Sequence, residues 1–487
     1  MDPGFRRDDI CFFVQIMKPT PETLQRLKAI VGDKGFVVGE ADMAPHLVER
    51  RELYRGKAAA VLKPASVEEV SAAMKVAHEA GLAVVPQGGN TGLVGGQVPD
   101  GSGEEIVLSL ARMNRVRAID TENNTLTVDA GVTLAAAQEA AREADRLFPL
   151  SLASEGSCQI GGNLATNAGG TQVLRYGNAR DLVLGLEVVL ANGDVWNGLT
   201  GLRKDNTGYD LRHLFMGSEG TLGIITGAVL KLFPRPQSVE TAFAAVPDVE
   251  AAVKLLRIAD GLAGGQVSTF ELVPRIGVEF VVAHVEGASD PLPDPSPWYV
   301  LIEMTAGTKA AGLPETMEAA LAEGLEQGLV SDAAIAQSEA QRADFWRLRE
   351  SLSDVQREEG GSIKHDVSVP VSRMADFIAT ATSAVSARLP GVRPVPFGHI
   401  GDGNVHFNLS QPVGADKAAF LARWDEMNAI VHGIVREMGG SISAEHGVGQ
   451  LKRDEIAATK SPVEMAMMRA LKQALDPKGV LNPGKVV

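Results

Sequence analysis

The sequence predicts an α+β protein built from several lobes, on three observations. Strand-like and helix-like segments mix without strict strand–helix–strand repetition, which argues against a doubly wound parallel sheet. At roughly 150 residues per domain, the 487 residues predict about three lobes. A proline-rich step at Pro234–Pro236 and a proline-rich loop at Ser289–Pro297 punctuate the chain.

The elements follow in order. The opening MDPGFRRDDICFFVQIM reads as a disordered or mis-started extension ahead of Met17. As an export signal it fails, because Gln15 interrupts the apolar run and no cleavage site follows. Pro21 to His46 reads as a short helix and connector. AAAVLKP reads as a buried strand. SVEEVSAAMKVAHEAG reads as a helix, with Ser66 as N-cap, Glu69 completing a capping box and Gly81 as the stop. LAVVPQGG reads as strand and turn, and IVLSL, TLTVDAGVTL, LGLEVVLANGDVW and GIITGAVLKLFP as further strands. A second mixed lobe follows the proline step, and a helical segment closes the chain at Val487.

Composition narrows the function classes. The apolar content of 45% excludes a disordered chain. A net charge of −15 disfavours nucleic acid and anionic membrane surfaces as bulk partners. An anionic substrate would therefore need a local attraction. Two cysteines, Cys11 and Cys158, exclude a disulfide scaffold and a four-cysteine zinc site and suit a reducing, cytoplasmic setting. No apolar run approaches about 18 residues, the length of a membrane-spanning helix.

Glycine occupies 52 positions, and part of that excess is clustered. PQGGNTGLVGGQ (residues 86–97) leaves backbone free for positive φ and close ligand approach. Its exposed N–H groups could form an anion nest, and a glycine-rich surface turn fits the same letters. The spacing is neither a Walker loop nor a Rossmann turn. EGSCQIGGNLATNAGG (residues 155–170) is small and polar, suited to lying along an extended ligand. GSEGTLGIIT (residues 217–226) is the third cluster. Together the three favour a long, phosphate-containing cofactor over structural turns.

These three stretches resemble the FAD-binding domain of the vanillyl-alcohol oxidase/p-cresol methylhydroxylase superfamily, and the resemblance runs from about Arg51 to the C-terminus. Within it, the chain looks like the FAD-linked D-2-hydroxyacid dehydrogenases, above all the D-2-hydroxyglutarate group. The resemblance implies a two-part FAD-binding domain over 51–236, after an extension and helical lead-in over 1–50. It implies a mixed α/β substrate (cap) domain with an antiparallel sheet over 237–435, and a helical C-terminal segment over 436–487. Pro86, Gly88, Gly89, Asn90, Thr91, Gly92 and Gly95 would wrap the pyrophosphate. Gly156, Ser157, Gly161, Gly162, Thr166, Asn167 and Gly170 would line the ribityl chain and ring. Gly220, Gly223 and Ile225 would touch the adenosine half, with Asn482 near the flavin. The first loop has no histidine, so the FAD would be non-covalent. Cys158 reads as a small buried filler.

FGHIGDGNVHFNL places His399 and His406 around a Gly-Asp-Gly-Asn turn. With residues 401–404 as the hairpin loop, His399 would lie opposite His406, and His406 and Asn408 would share a face. Glu445 and His446 follow in SISAEHGVG. Two histidines and a glutamate have the composition of a catalytic zinc site; surface histidines beside an acidic turn fit the spacing too. The resemblance implies His399, His406 and Glu445 as metal ligands and His446 as general base. Zn²⁺ is the expected ion, with Mn²⁺, Fe²⁺ and Co²⁺ open by ligand type.

RADFWRLRESLSDVQREEGG reads as an amphipathic helix with an apolar stripe of Phe345, Leu348, Leu352 and Val355. Arg349 and Ser353 share a face at i, i+4. Arg349 and Lys364 read alone as solvated charges; the resemblance implies that they bind substrate carboxylate. Ser353 stands where the nearest relatives carry threonine, which leaves specificity there open.

The implied reaction is oxidation of a D-2-hydroxy acid, D-2-hydroxyglutarate first, to the 2-oxo acid. A metal would lower the hydroxyl pKa, His446 would take the proton, Asn408 would orient substrate, and hydride would pass to flavin. An electron-transfer flavoprotein or quinone is the expected acceptor, since no dinucleotide fingerprint is present, and a homodimer is compatible. The competing readings are a D-lactate or glycolate dehydrogenase, a non-catalytic flavin subunit of an electron-transfer complex, and a zinc hydrolase without flavin.

Overall fold

The computed structural model describes residues 17–487; the start-site expectation and Cys11 lie outside the described residues. The first lobe carries two sheets. Strands Phe36–Val37, Ala60–Leu62, Ile106–Ser109 and Val84–Gln87 lie side by side in that order, the last three parallel. A second, antiparallel sheet runs Val116–Asp120, Thr125–Asp129, Ile224–Lys231, Val183–Val189 and Val195–Gly198. One continuous apolar core joins them.

Local chemistry explains the elements. Helix Val67–Ala80 starts where the Ser66 side chain accepts from the Glu69 N–H, and stops at Gly81, whose φ of 65° suits a glycine C-cap. The expected capping box is displaced by one residue, because the Glu69 carboxylate accepts from the Ala65 N–H at 2.8 Å instead of Ser66. TLTVDAGVTL is not one strand. It ends at Asp129, since Gly131 turns tightly enough that a Cβ would lie 2.0 Å from the Leu110 carbonyl oxygen. Thr133 then caps helix Leu134–Glu143.

The second lobe is an eight-stranded antiparallel sheet. Its main path runs Asp332–Ile335, Ser238–Val246, Trp298–Ala306, Val267–Pro274, Arg393–His399, Asn404–Ser410 and Ser362–Ile363. Asp366–Ser368 also pairs with Asn404–Ser410. Both faces are covered by helices, so strand residues are buried on alternate sides. Ala242, Ala244 and Val246 enter one core, Phe243 and Ala245 the other. Such strands read as unbroken apolar runs. Helix Glu339–Val355 packs its expected stripe against one face.

The C-terminal segment carries helices Arg453–Thr459 and Pro462–Leu475, and helix Trp424–Glu437 runs across the 435/436 division. The chain then returns to the first lobe. The Val84 N–H donates to Val480 and the Asn482 N–H donates to Val84, both at 2.8 Å, and Val480 and Leu481 join the first core. Among the described residues, no helix is long and apolar enough to cross a membrane.

Candidate active site

The three glycine clusters converge on one cavity of about 850 Å³ in the first lobe. Pro86, Gly88, Gly89, Asn90, Thr91 and Gly92 line it on one side. Gly161, Gly162 and Thr166 line a second side, and Gly220, Gly223 and Ile225 a third. The bare backbone is needed there. A Cβ on Gly89 would lie 1.9 Å from the Ser157 carbonyl oxygen, whereas one on Gly162 would meet nothing within 4 Å and would project into open space.

The remaining expected cofactor residues sit around this cavity rather than on its wall. Gly95 packs under the Tyr54 ring, and Gly156 and Ser157 are exposed. Asn167 accepts from the Arg180 N–H at 3.0 Å. Asn482 donates to the carbonyls of Gly96 (2.9 Å) and Glu219 (2.7 Å), tying two glycine loops together. Asn163, a polar residue of the second cluster, also lies on the wall, and sequence reasoning missed Gln87, Gln159 and Glu219 there. Gln159 Oε1, Asn163 Nδ2 and Asn90 Oδ1 are buried there without a protein partner. Buried polar atoms require partners, so the wall fits a long ligand rich in hydrogen-bonding groups, as FAD is. Cys158 is buried and its thiol is pushed up by burial, consistent with a filler.

The second group of residues lies where the sheet of the second lobe meets that cavity. The hairpin register differs from expectation. Phe397, not His399, pairs with His406, because the loop spans residues 400–403. A shift of two keeps the side chains on one face, and the two imidazoles still meet edge to face with centroids 5.6 Å apart. His399 Nε2 is 3.7 Å from one oxygen of Glu445, and His406 Nε2 is 3.9 Å from the other. One ligand atom from each of the three lies within 4.8 Å of the others. Glu445 is steadied from the first lobe, where the Gly170 N–H donates to it at 2.6 Å.

Two carboxylates unforeseen in the sequence organise these histidines. Glu271 pairs with His399 across adjacent strands and sits 2.5 Å from its Nδ1. Burial would raise the Glu271 pKa, but Arg349 and His399 hold it at about 2. Burial likewise opposes charge on His399, yet Glu271 and Glu445 lift it to about 9. The space between these groups therefore attracts positive charge. His406, which burial depresses to about 3, is a neutral imidazole with the form a metal ligand needs.

Asp366 is the other carboxylate. It faces His406 across the strands, and its Oδ2 lies 3.4 Å from His446 Nδ1. Its oxygens accept from the N–H groups of Glu445 and His446, both at 2.9 Å, and from Asn404 Nδ2 at 3.0 Å. Burial would raise its pKa, but His446 and Lys452 hold it well below the usual carboxylate range. With these donors occupying it, Asp366 is suited to orienting His446 rather than holding an ion.

Beyond His446 opens a wider cavity of about 1550 Å³, lined by Ser353, Lys364, His406, Asn408 and His446 among others. Lys364 Nζ donates to the Ser353 carbonyl at 2.6 Å, and burial brings its pKa down to about 8. Arg349 does not line this cavity. Its guanidinium is buried against Glu271 at 2.6 Å and lies 5.0 Å from the Phe397 ring centroid. Thus Arg349 and Ser353 share a helix face but look to different places. His446 lines both the glycine-walled cavity and the wider one.

Comparison with known proteins decides the family. The model of the FAD-linked oxidase C-terminal domain matches residues 235–486, and that of the FAD-binding domain matches 58–198. A D-2-hydroxyglutarate dehydrogenase of Xanthomonas citri is 42% identical over 427 residues, covering 88% of this chain and 89% of its own. The mitochondrial D-2-hydroxyglutarate dehydrogenase of Arabidopsis thaliana is 40% identical over 461 residues, covering 94% and 80%. This chain belongs to the D-2-hydroxyglutarate dehydrogenase family of FAD-linked oxidases. It is an FAD-dependent oxidoreductase. The chain shares its fold with p-cresol methylhydroxylase, whose structure superposes with a TM-score of 0.73 at 18% identity, covering 96% of both chains.

Proposed function

We propose that the protein oxidises D-2-hydroxyglutarate to 2-oxoglutarate at the junction of the two cavities. The observation that carries this is the position of His446, a half-buried imidazole on the walls of both. Residues 51–236 would form the FAD-binding domain and 237–435 the cap, with 436–487 carrying Glu445 and His446 into the seam.

His399, His406 and Glu445 would hold a divalent ion, Zn²⁺ by donor type, which supplies Lewis acidity toward the substrate hydroxyl. Bound FAD supplies a two-electron acceptor. The chain's own residues do the rest. Asp366 faces Nδ1 of His446, favouring a proton there and leaving Nε2 free to take the hydroxyl proton. Asn408 orients the 2-hydroxy acid. Lys364 and Ser353 face the far end of the substrate. Arg349 acts through Glu271, neutralising the carboxylate that fixes His399; such outer partners set ligand orientation. Reduced flavin would pass its electrons to an electron-transfer flavoprotein or quinone.

The test is reduction of an artificial dye with a panel of D- and L-2-hydroxy acids. D-2-hydroxyglutarate is expected to give the highest kcat/KM. Preference for D-lactate or glycolate would replace the substrate, and unchanged turnover after complete chelation would remove the metal.

A further inference from the structure

The wider cavity is strongly cationic within a chain of net charge −15. Arg50, Arg51, Arg357, Lys364 and Lys417 line it against the carboxylate of Asp354. Asp354 already serves two of them, lying 3.4 Å from Arg50 and 3.5 Å from Arg357. Those two and Lys417 are exposed, whereas Arg51 and Lys364 are half-buried. Among the described residues, neither Arg51 nor Lys364 makes an ion pair. Each donates a hydrogen bond to a main-chain carbonyl, Arg51 to that of Leu93 and Lys364 to that of Ser353. Glu49 is close in sequence, but its oxygens accept the N–H groups of Arg51 and Leu53. Arg51 Nε is buried without a partner. Sequestering two cations without an anion is costly, so the arrangement calls for a bound anion.

The direction of the cavity says which anion. His406, Asn408 and His446 form its reacting end, and Arg51 lines the same wall system as Lys364 and Ser353. We propose that Arg51 binds the distal carboxylate of the substrate together with Lys364 and so selects dicarboxylates over monocarboxylates. This rests on the reading of the site as a 2-hydroxy acid oxidase and adds to it the residue that sets chain-end specificity. The guanidinium offers two parallel donors to one carboxylate, and a monocarboxylic acid would leave both cations unmatched.

The experiment compares D-2-hydroxyglutarate with D-2-hydroxybutyrate, which keeps the reacting end and lacks the second carboxylate, in wild type, Arg51→Met and Arg51→Lys. Calorimetric binding of 2-oxoglutarate and 2-oxobutyrate and the flavin content of each preparation accompany the kinetics. Arg51→Met is expected to lose about 10- to 100-fold in kcat/KM for the diacid, with a matching loss of 2-oxoglutarate affinity. The monoacid should stay nearly unaffected, and Arg51→Lys should recover part of the diacid preference. Equal losses on both acids, no loss on either, or flavin-free preparations of both variants would overturn the proposal. A wild type that prefers the monoacid would overturn the proposed substrate itself, independently of the variants.

Discussion

At the scale of single residues, the site depends on two carboxylates that touch histidines. Asp366→Asn keeps the hydrogen-bonding shape around the Glu445 and His446 amides but removes the charge facing His446. We expect kcat to fall on the order of 10²-fold or more, with flavin content unchanged and KM little altered; an unchanged kcat would deny Asp366 its orienting role. Lys364 supports a pH prediction. Its ammonium is the form that attracts carboxylate, and burial lowers its pKa to about 8. The free-enzyme profile of kcat/KM for D-2-hydroxyglutarate should therefore decline as pH rises through about 8. The monoacid profile should lack that alkaline limb. That His399, His406, Glu445 and His446 come together was legible because they sit in two short motifs that the family resemblance marks. Glu271 was not, because its partner His399 is 128 residues away and strand pairing alone brings them together. Arg51 was overlooked for a similar reason: an arginine in a charged lead-in reads as surface until its neighbours are known.

At the scale of elements, the glycine loops work by close approach. Gly89→Ala would force a Cβ against the Ser157 carbonyl at 1.9 Å, backbone against backbone, with no flexible side chain to yield. We expect a loss of about 1–3 kcal/mol and poor retention of FAD, read by thermal melting and by flavin absorbance after gel filtration. Normal flavin content in this variant would show that the two loops can separate. The clusters were legible as cofactor-binding because three lie near together in sequence. Their exact contacts were not, since Gly95 and Asn482 serve loop packing while Gln159, ordinary in sequence, presents an unpaired atom to the cavity. The hairpin register was missed by two residues because nothing in Gly-Asp-Gly-Asn shows which of its residues close the turn.

At the scale of the whole molecule, the α+β class follows from patterns the sequence displays, while the strand orders and the meeting of lobes do not. The overall charge of −15 repels anions at long range, and the half-buried Arg51 and Lys364 attract them at short range. Salt screens the first more than the second. Raising ionic strength from about 0.01 M to about 0.15 M should therefore leave kcat/KM for the diacid level or raise it. A steep fall would show that exposed cations capture the substrate.

The Gly170 N–H that holds Glu445 ties the durability of the enzyme to the seam between its lobes. The carboxylate is gripped from one lobe, while the imidazoles beside it are carried on the sheet of the other. A small sliding of the lobes would spoil the trio without unfolding either apolar core. Heat should thus silence the catalyst first and melt it afterwards, and brief cooling should restore what had only come apart.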